Sequence, residues 1–326
     1  MICPLLPSPF FAMMSVTPVA QTIPTLSLND FIHGDPHTQA DFVQRMGSAL
    51  EDLGFFALVD HGVDSAVTQA AYECCQAFFA LPAEIKMHYS HADLKGQRGY
   101  TCFGKEHAKD NPYPDLKEFW HIGREDSPYL GNLWPSEVPQ FRPVFLELYR
   151  QLDACAAHLL QACALYLRES RLLLADMAEG GNSILRVIHY PPIPLTAHPA
   201  SIRAAAHEDI NFITLLCEAT APGLELLQRD GSWLPIQTMP GQIIVDTGDM
   251  LQHLTNGVFR STTHRVVNPN NDREQRFSMP FFIHPRSEVD LTPLPSCVAR
   301  SGGKTHYGSL TAGEFLQQRL REIGLA

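Results

Sequence analysis

The stretch AAAHEDINFITLL, residues 204–216, decides how this chain is read. Its second half, with Ile210, Phe212, Ile213, Leu215 and Leu216, is apolar and β-branched or aromatic, as in a buried strand. Its first half carries His207, Glu208 and Asp209, ionisable groups whose burial is costly unless they are paired or ligated. A strand interrupted in this way needs a reason.

Around it the same strand pattern recurs in ILRVIHY (184–190), LELLQRD (224–230), QIIVDTG (242–248), HRVVNP (264–269) and RFSMPFFIHP (276–285). Turn residues such as Pro222-Gly223, Asp230-Gly231 and Pro240-Gly241 separate them, which predicts an antiparallel sandwich or barrel and not a βαβ sheet. Upstream, helical periodicity covers 39–53, a stretch capped by Asp64 and ended by Leu81-Pro82, and roughly 138–173. Strands are expected at IPTLSLNDF (23–31) and GFFALVDHG (54–62), and a Gly- and Pro-punctuated loop region with short pieces of strand at 90–135. Thr311 and Glu314 read as the capping box of a terminal helix, Thr311 to Ile323. The expected class is α+β, with a tail at 1–22, a mixed helical region at 23–175 packing on a barrel at 176–310, and a helix at 311–326.

With 45% hydrophobic and 18% charged residues, the composition is that of a globular protein. A net charge of −11 and the lack of long basic runs argue against nucleic acid as a partner. No apolar run is long enough to span a membrane, and no obligate protein partner is evident. The first residues, MICPLLPSPFFAMMSVTPVA, lack the basic start of a secretory signal and are broken by prolines. They read as a disordered tail, or as sequence ahead of a start at Met13 or Met14. The eight cysteines show no CxxC spacing, which suggests reduced thiols and a cytoplasmic location.

HxD is a weak motif, and a chain with this much His and Asp contains about one by chance. This one has three: His33-Gly-Asp35 and His91-Ala-Asp93 in loop-like surroundings, and His207-Glu-Asp209 leading into a strand. Strand alternation would place His207 and Asp209 on one face. A third group must then come from a neighbouring strand, and His264 in RSTTHRVVNP fits. Two histidines and a carboxylate form the facial triad of non-haem Fe(II) oxygenases. The plainer reading is a buried His–Asp pair and an unrelated surface histidine. Beyond His264, Arg276 and Ser278 share a face of the next expected strand. A buried Arg needs an anion, either a small-molecule carboxylate or a fixed partner such as Asp246 or Glu274.

The order HED … STTHRV … RFS, preceded by PGQIIVDTGDMLQHLTNG, resembles the 2-oxoglutarate- and Fe(II)-dependent dioxygenases, in the isopenicillin N synthase-like branch. IPTLSLNDF, GFFALVDHGV, FFALPAEIK, QRGYTCFGKE, LKEFWHIGRE and LRVIHYPP extend the likeness from about Ile23 to Gly324. The resemblance implies a double-stranded β-helix, or jelly roll, with His207, Asp209 and His264 as iron ligands. Arg276 and Ser278 would hold the distal carboxylate of 2-oxoglutarate, and Tyr190 would either touch it or pack in the core. Plant relatives often carry Asn where this chain has Ile188.

Fe(II), 2-oxoglutarate and O2 would be used to oxidise a C–H bond of a small molecule, releasing succinate and CO2. Three rivals stay open: a 2-oxoglutarate-independent oxidase, breakdown of 2-oxoglutarate to ethylene and succinate, and a barrel kept as a scaffold without chemistry. Candidate substrate contacts are Arg98, Tyr100, Phe103, Glu118 and His189, with Arg98 either anchoring a carboxylate or solvated in a loop.

Overall fold

The computed structural model describes residues 22–94, 96–108, 111–127, 130–237 and 239–322, so nearly all of the expected N-terminal tail lies outside the described residues. From the N-terminal side, β1 (Thr25–Ser27) and the one-turn α1 (Leu28–Ile32) lead to α2 (Pro36–Asp52). Pro36 opens α2 and the Asp35 carboxylate accepts from Thr38 N at 2.9 Å, so the helix starts where its free N–H groups find a partner. β2 (Phe55–Val59) follows, then α3 (Ser65–Phe79), whose cap is the Asp64 carboxylate at 2.8 Å from Ala66 N. After α4 (Ala83–Met87) come β3 (Gly99–Thr101), β4 (Glu118–Gly123), the long α5 (Phe141–Tyr166) and α6 (Leu173–Ala178).

The second half supplies β5 (Ile184–Tyr190), β6 (Ala204–His207), β7 (Ile213–Cys217), β8 (Leu224–Leu227), β9 (Trp233–Pro235) and β10 (Ile243–Thr247). It continues with α7 (Asp249–Leu254), β11 (His264–Val266), β12 (Arg276–Ile283), α8 (Pro295–Arg300) and α9 (Ala312–Glu322). The capping box at α9 is formed: Thr311 N donates to Glu314 at 2.8 Å and Glu314 N donates to Thr311 Oγ1 at 3.3 Å.

Two sheets face each other in a jelly-roll core. The large sheet runs β1-β2-β10-β7-β12-β5-β4-β3 and the small one β6-β11-β8-β9. Every pairing is antiparallel except β1 with β2. The strands of the first half are therefore built into the same large sheet as those of the second, and residues 175 and 176 both lie within α6.

The large sheet is covered on both faces. Its outer face meets α2, α3 and α5 through one large core in which Phe78 touches the rings of Phe79, Tyr89, Tyr100, Trp120 and Phe141. Its inner face meets the small sheet through Phe55, Leu224, Leu226 and Ile244, and through Phe119, Ile188, Tyr190 and Val266. On β12 the period of two sends Phe277, Met279 and Phe281 to the helices and Arg276, Ser278 and Phe282 to the interior between the sheets.

Candidate active site

The interrupted strand of 204–216 is a crossing between sheets. β6 ends at His207 in the small sheet, β7 begins at Ile213 in the large one, and residues 208–212 bridge them. This corrects the expectation that His207 and Asp209 share a strand face; Asp209 lies in the crossing loop. The loop is held by backbone bonds from Asp249 N to Asp209 O at 2.7 Å, Met250 N to Ile210 O at 3.1 Å and Gly248 N to Phe212 O at 2.9 Å. Gly248 is required there, because a Cβ would sit 2.2 Å from the Asn211 carbonyl oxygen.

His264 is the direct cross-strand partner of His207, with ring centroids 4.5 Å apart. His207 Nδ1 donates to Ala205 O at 2.7 Å and His264 Nδ1 to Thr262 O at 3.1 Å, so each ring turns its Nε2 inward. Those two nitrogens lie 3.9 and 3.8 Å from Asp209 Oδ1, and all three atoms fall within 4.8 Å of one another. The other carboxylate oxygen, Oδ2, accepts from the Thr214 hydroxyl. Burial first, then the neighbouring His264, holds the His207 imidazole below its ordinary range, so it stands as a neutral donor. Burial and the Asp209 charge push Asp246 well above the usual carboxylate range, and it pairs with Thr214 across the sheet. Two imidazoles and one carboxylate, each with its remaining polar atom occupied, fit a divalent metal of the non-haem iron type.

A narrow cavity of about 60 Å³ leads from the triad to Tyr190, Arg276 and Ser278. Arg276 is 2% exposed, and its guanidinium donates to Ala221 O at 2.9 Å and to Ser278 Oγ at 3.0 Å, with its carbon 5.0 Å from the Tyr190 ring centre. Among the described residues no carboxylate pairs with it, so neither Asp246 nor Glu274 is its partner. Nearby Arg203, also buried, adds a second positive charge. A buried guanidinium without a counter-charge can take an anion from outside the chain.

On the other side of the triad lies a cavity of about 240 Å³, covered by Leu316, Arg319 and Leu320 of α9. A buried ionic network lines it. Lys117 pairs with Asp115 at 2.8 Å, Arg186 with Glu106 at 3.2 Å, and Arg186 Nε donates to His121 Nε2 at 2.6 Å. Asp115 also accepts from Ala205 N at 3.0 Å and so braces the strand that presents His207. Burial opposes ionisation of Glu106, but Arg186 and Lys117 outweigh it and hold the carboxyl at about 2. Lys117 is pushed up, because Asp115 and Glu106 overcome its desolvation.

Comparison with known proteins bears on this geometry. Residues 181–285 match the family model of the 2OG-Fe(II) oxygenase superfamily, and residues 23–139 match a non-haem dioxygenase N-terminal model named for morphine synthesis. A 2-oxoglutarate-Fe(II) type oxidoreductase of Aspergillus fumigatus is 31% identical, over 81% of this chain and 82% of its own length. The chain belongs to the 2OG-Fe(II) oxygenase superfamily. A 2OG-Fe(II) oxygenase family protein from Caulobacter crescentus superposes with a TM-score of 0.81 at 43% identity, covering 92% of this chain and 98% of the other. A full-length Neurospora crassa protein, crystallised in complex with alpha-KG and thymine, superposes with a TM-score of 0.85 at 25% identity over 94% and 98% of the two chains. The protein is thus an Fe(II)- and 2-oxoglutarate-dependent oxidoreductase.

The oxygenase brings His207, Asp209, His264, Tyr190, Arg276 and Ser278 to the space between its sheets. It does not bring the five expected substrate contacts there. Tyr100, Glu118 and His189 meet on the outer face of the large sheet, where Glu118 accepts from Tyr100, from His189 Nδ1 at 2.8 Å and from Lys86 at 2.8 Å. Arg98 is sealed, 1% exposed, with its guanidinium on Gln97 O at 2.7 Å and Asn182 Oδ1 at 2.9 Å. Phe103 sits on a loop, 36% exposed, and does not line the cavity.

The strand residues that face the space between the sheets were within reach of the same period-two rule. Counting back from Tyr190 gives Ile188 and Arg186 and excludes His189, while counting on from Ser278 gives Phe282 and His284. Nothing in the sequence signalled α9 as the cover.

Proposed function

We propose that His207 Nε2, Asp209 Oδ1 and His264 Nε2 hold the iron of this oxygenase, and that Arg276 and Ser278, beside Tyr190, bind the distal carboxylate of 2-oxoglutarate. The observation that carries this reading is the convergence of two inward-facing Nε2 atoms on Asp209 Oδ1 at 3.9 and 3.8 Å. The bound metal supplies the O2 chemistry, in which 2-oxoglutarate is oxidatively decarboxylated to succinate and CO2 while a substrate C–H bond is oxidised.

The rest is what the chain's own side chains do. Ala205 O and Thr262 O fix the proton of each imidazole on Nδ1, and Thr214 occupies Asp209 Oδ2, so the donor set is preset. Arg276, lacking an internal counter-charge, gives an incoming dicarboxylate its polarity of entry. The primary substrate is a small molecule bound in the 240 Å³ cavity against His207 and Asp209, under α9. Thymine in the Neurospora relative supports a compact ligand. The match over residues 23–139 supports placement in the isopenicillin N synthase-like branch. The seven described cysteines are free thiols, which supports a reducing compartment such as the cytoplasm, and no helix of the described residues is long and apolar enough to cross a membrane.

Anaerobic titration of the Fe(II)-loaded protein with 2-oxoglutarate tests the assignment. A saturable visible charge-transfer band is expected, absent in His207→Ala. Iron retained in that variant, or a loaded protein that gives no band, would overturn it.

A further inference from the structure

The cations of the cavity beside the triad are already engaged. Among the described residues its cations are Lys117, Arg186 and Arg319, and each lies against a carboxylate: Asp115 at 2.8 Å, Glu106 at 3.2 Å and Asp249 at 3.2 Å. An anionic ligand would have to break one of these pairs and leave a carboxylate without its counter-charge. A cationic ligand fares no better in the interior, because Asp209 faces the two histidines and Glu322 shares Arg319 with Asp249, at 2.7 Å. Glu208 is exposed at the rim, where it accepts from the Thr263 hydroxyl.

The hydrogen-bonding capacity that remains is uncharged. His284 follows β12 at the next inward position after Phe282, lines the cavity and is 7% exposed. Its Nδ1 is buried with no hydrogen-bond partner among the described residues. Such an orphan is costly to bury, and rotation of the broad ring torsion would turn the nitrogen toward a ligand that relieves it. Burial holds this imidazole down at about 4, so it is neutral at ordinary pH. The Gln97 side-chain amide also lines the cavity and makes no bond among the described residues. Phe282, Leu316 and Leu320 supply apolar wall between these groups. At about 240 Å³ the space is smaller than the roughly 300–1,000 Å³ usual for drug-sized ligands.

We propose that the primary substrate is a compact uncharged molecule with an amide-type edge, such as a lactam, an imide or an oxo-heterocycle, recognised by His284 and Gln97. This rests on the reading that the cavity beside the triad is the substrate site. The chemistry is that of an uncharged donor–acceptor edge meeting an imidazole nitrogen and a carboxamide, with no ion pair made or broken.

The experiment loads the full chain with Mn(II) and 2-oxoglutarate, first checks that 2-oxoglutarate binds, then follows paramagnetic broadening of three probes of one shape. Thymine is neutral, orotate carries a carboxylate and 5-(aminomethyl)uracil carries an ammonium group. Thymine should broaden near the metal, and each charged analogue should bind about tenfold more weakly or worse. His284→Phe and Gln97→Leu should each weaken thymine about tenfold, the loss of one hydrogen bond. Gln97 lies on a part-exposed loop, so that variant reports even if His284→Phe fails to fold. Three results overturn the proposal: a charged analogue binding as tightly as thymine, thymine indifferent to both substitutions, or no binding of thymine at about 10 mM to protein that holds 2-oxoglutarate. Failure of 2-oxoglutarate itself to bind removes the underlying functional reading as well, and is seen separately.

Discussion

Replacing Arg276 by Met tests the co-substrate pocket most directly. The wild-type guanidinium is 2% exposed, bonded only to the Ala221 carbonyl and the Ser278 hydroxyl, and faces Arg203 across Tyr190 with no carboxylate partner among the described residues. A carboxylate in the cavity would gain charge-assisted hydrogen bonds worth about 1.5–3 kcal/mol each. Losing two of them removes at least about 3 kcal/mol, or roughly 10²-fold in Kd. The same arithmetic sets a second readout. At a 2-oxoglutarate concentration of about 100 Kd the wild type gains about 2.7 kcal/mol of stability, whereas a variant weakened 10²-fold gains only about 0.4.

The assay is thermal unfolding with and without 2-oxoglutarate on metal-loaded protein, alongside calorimetric titration. Without 2-oxoglutarate, Arg276→Met should unfold no earlier than the wild type, because it removes a buried charge that lacks a counter-charge. A change in Kd below about threefold would refute the reasoning, since it would mean that the distal carboxylate is held elsewhere. So would a large loss of stability in the absence of 2-oxoglutarate, which would make Arg276 a structural residue.

Other substitutions probe the surroundings. Thr214→Val frees Asp209 Oδ2 and should weaken metal binding about 10- to 100-fold in a competition with a chelator while leaving the fold cooperative; unchanged affinity would remove Thr214 from the site. Glu106→Gln leaves Arg186 and Lys117 short of a carboxylate and should cost about 3 kcal/mol in urea unfolding at neutral pH. The Glu106 pKa is depressed on folding, from an ordinary value of 4.5 to about 2, so its contribution is present above the ordinary value and fades as pH falls toward 2. The wild-type and Glu106→Gln unfolding curves should therefore converge in acid; a gap that stays constant from pH 7 to about pH 2 would contradict the assigned ion pair. Phe78→Ala opens a cavity among five aromatic rings and should lower stability by about 3–5 kcal/mol, a loss that would be much smaller if that core were loosely packed.

How much of this was legible beforehand depends on what each residue had to satisfy. The strand at Ile184–Tyr190 was readable in full, because turn residues and β-branched side chains bound it on both sides. Asp64 and the Thr311–Glu314 pair announced their helices, since capping is a contact within a few residues. His207, Asp209 and His264, with Arg276 and Ser278, stood out because charged side chains are rare in otherwise apolar strands. By itself, then, the sequence determined the main strands of the second half, the starts of the capped helices and the identity of the polar groups between the sheets, but not β4, β9 or the break between α5 and α6.

Tertiary structure decided which way those groups face and what lies against them. β4 is buried on both sides, under helices on one and against the small sheet on the other, so no polar–apolar alternation marks the inner face of LKEFWHIGRE. That is why Glu118 and His189 looked like site residues while Lys117 and Arg186, one and three positions away and so on the opposite face, hold the cavity wall. The break at His207 likewise follows from a crossing between two sheets, which local pattern cannot distinguish from a continuous strand. The cover formed by α9 depends on a contact between distant parts of the chain, held by Arg319 on Asp249 at 3.2 Å. Short-range physics writes elements and caps into neighbouring residues, whereas face, register and closure are settled only when every strand competes for the same two layers.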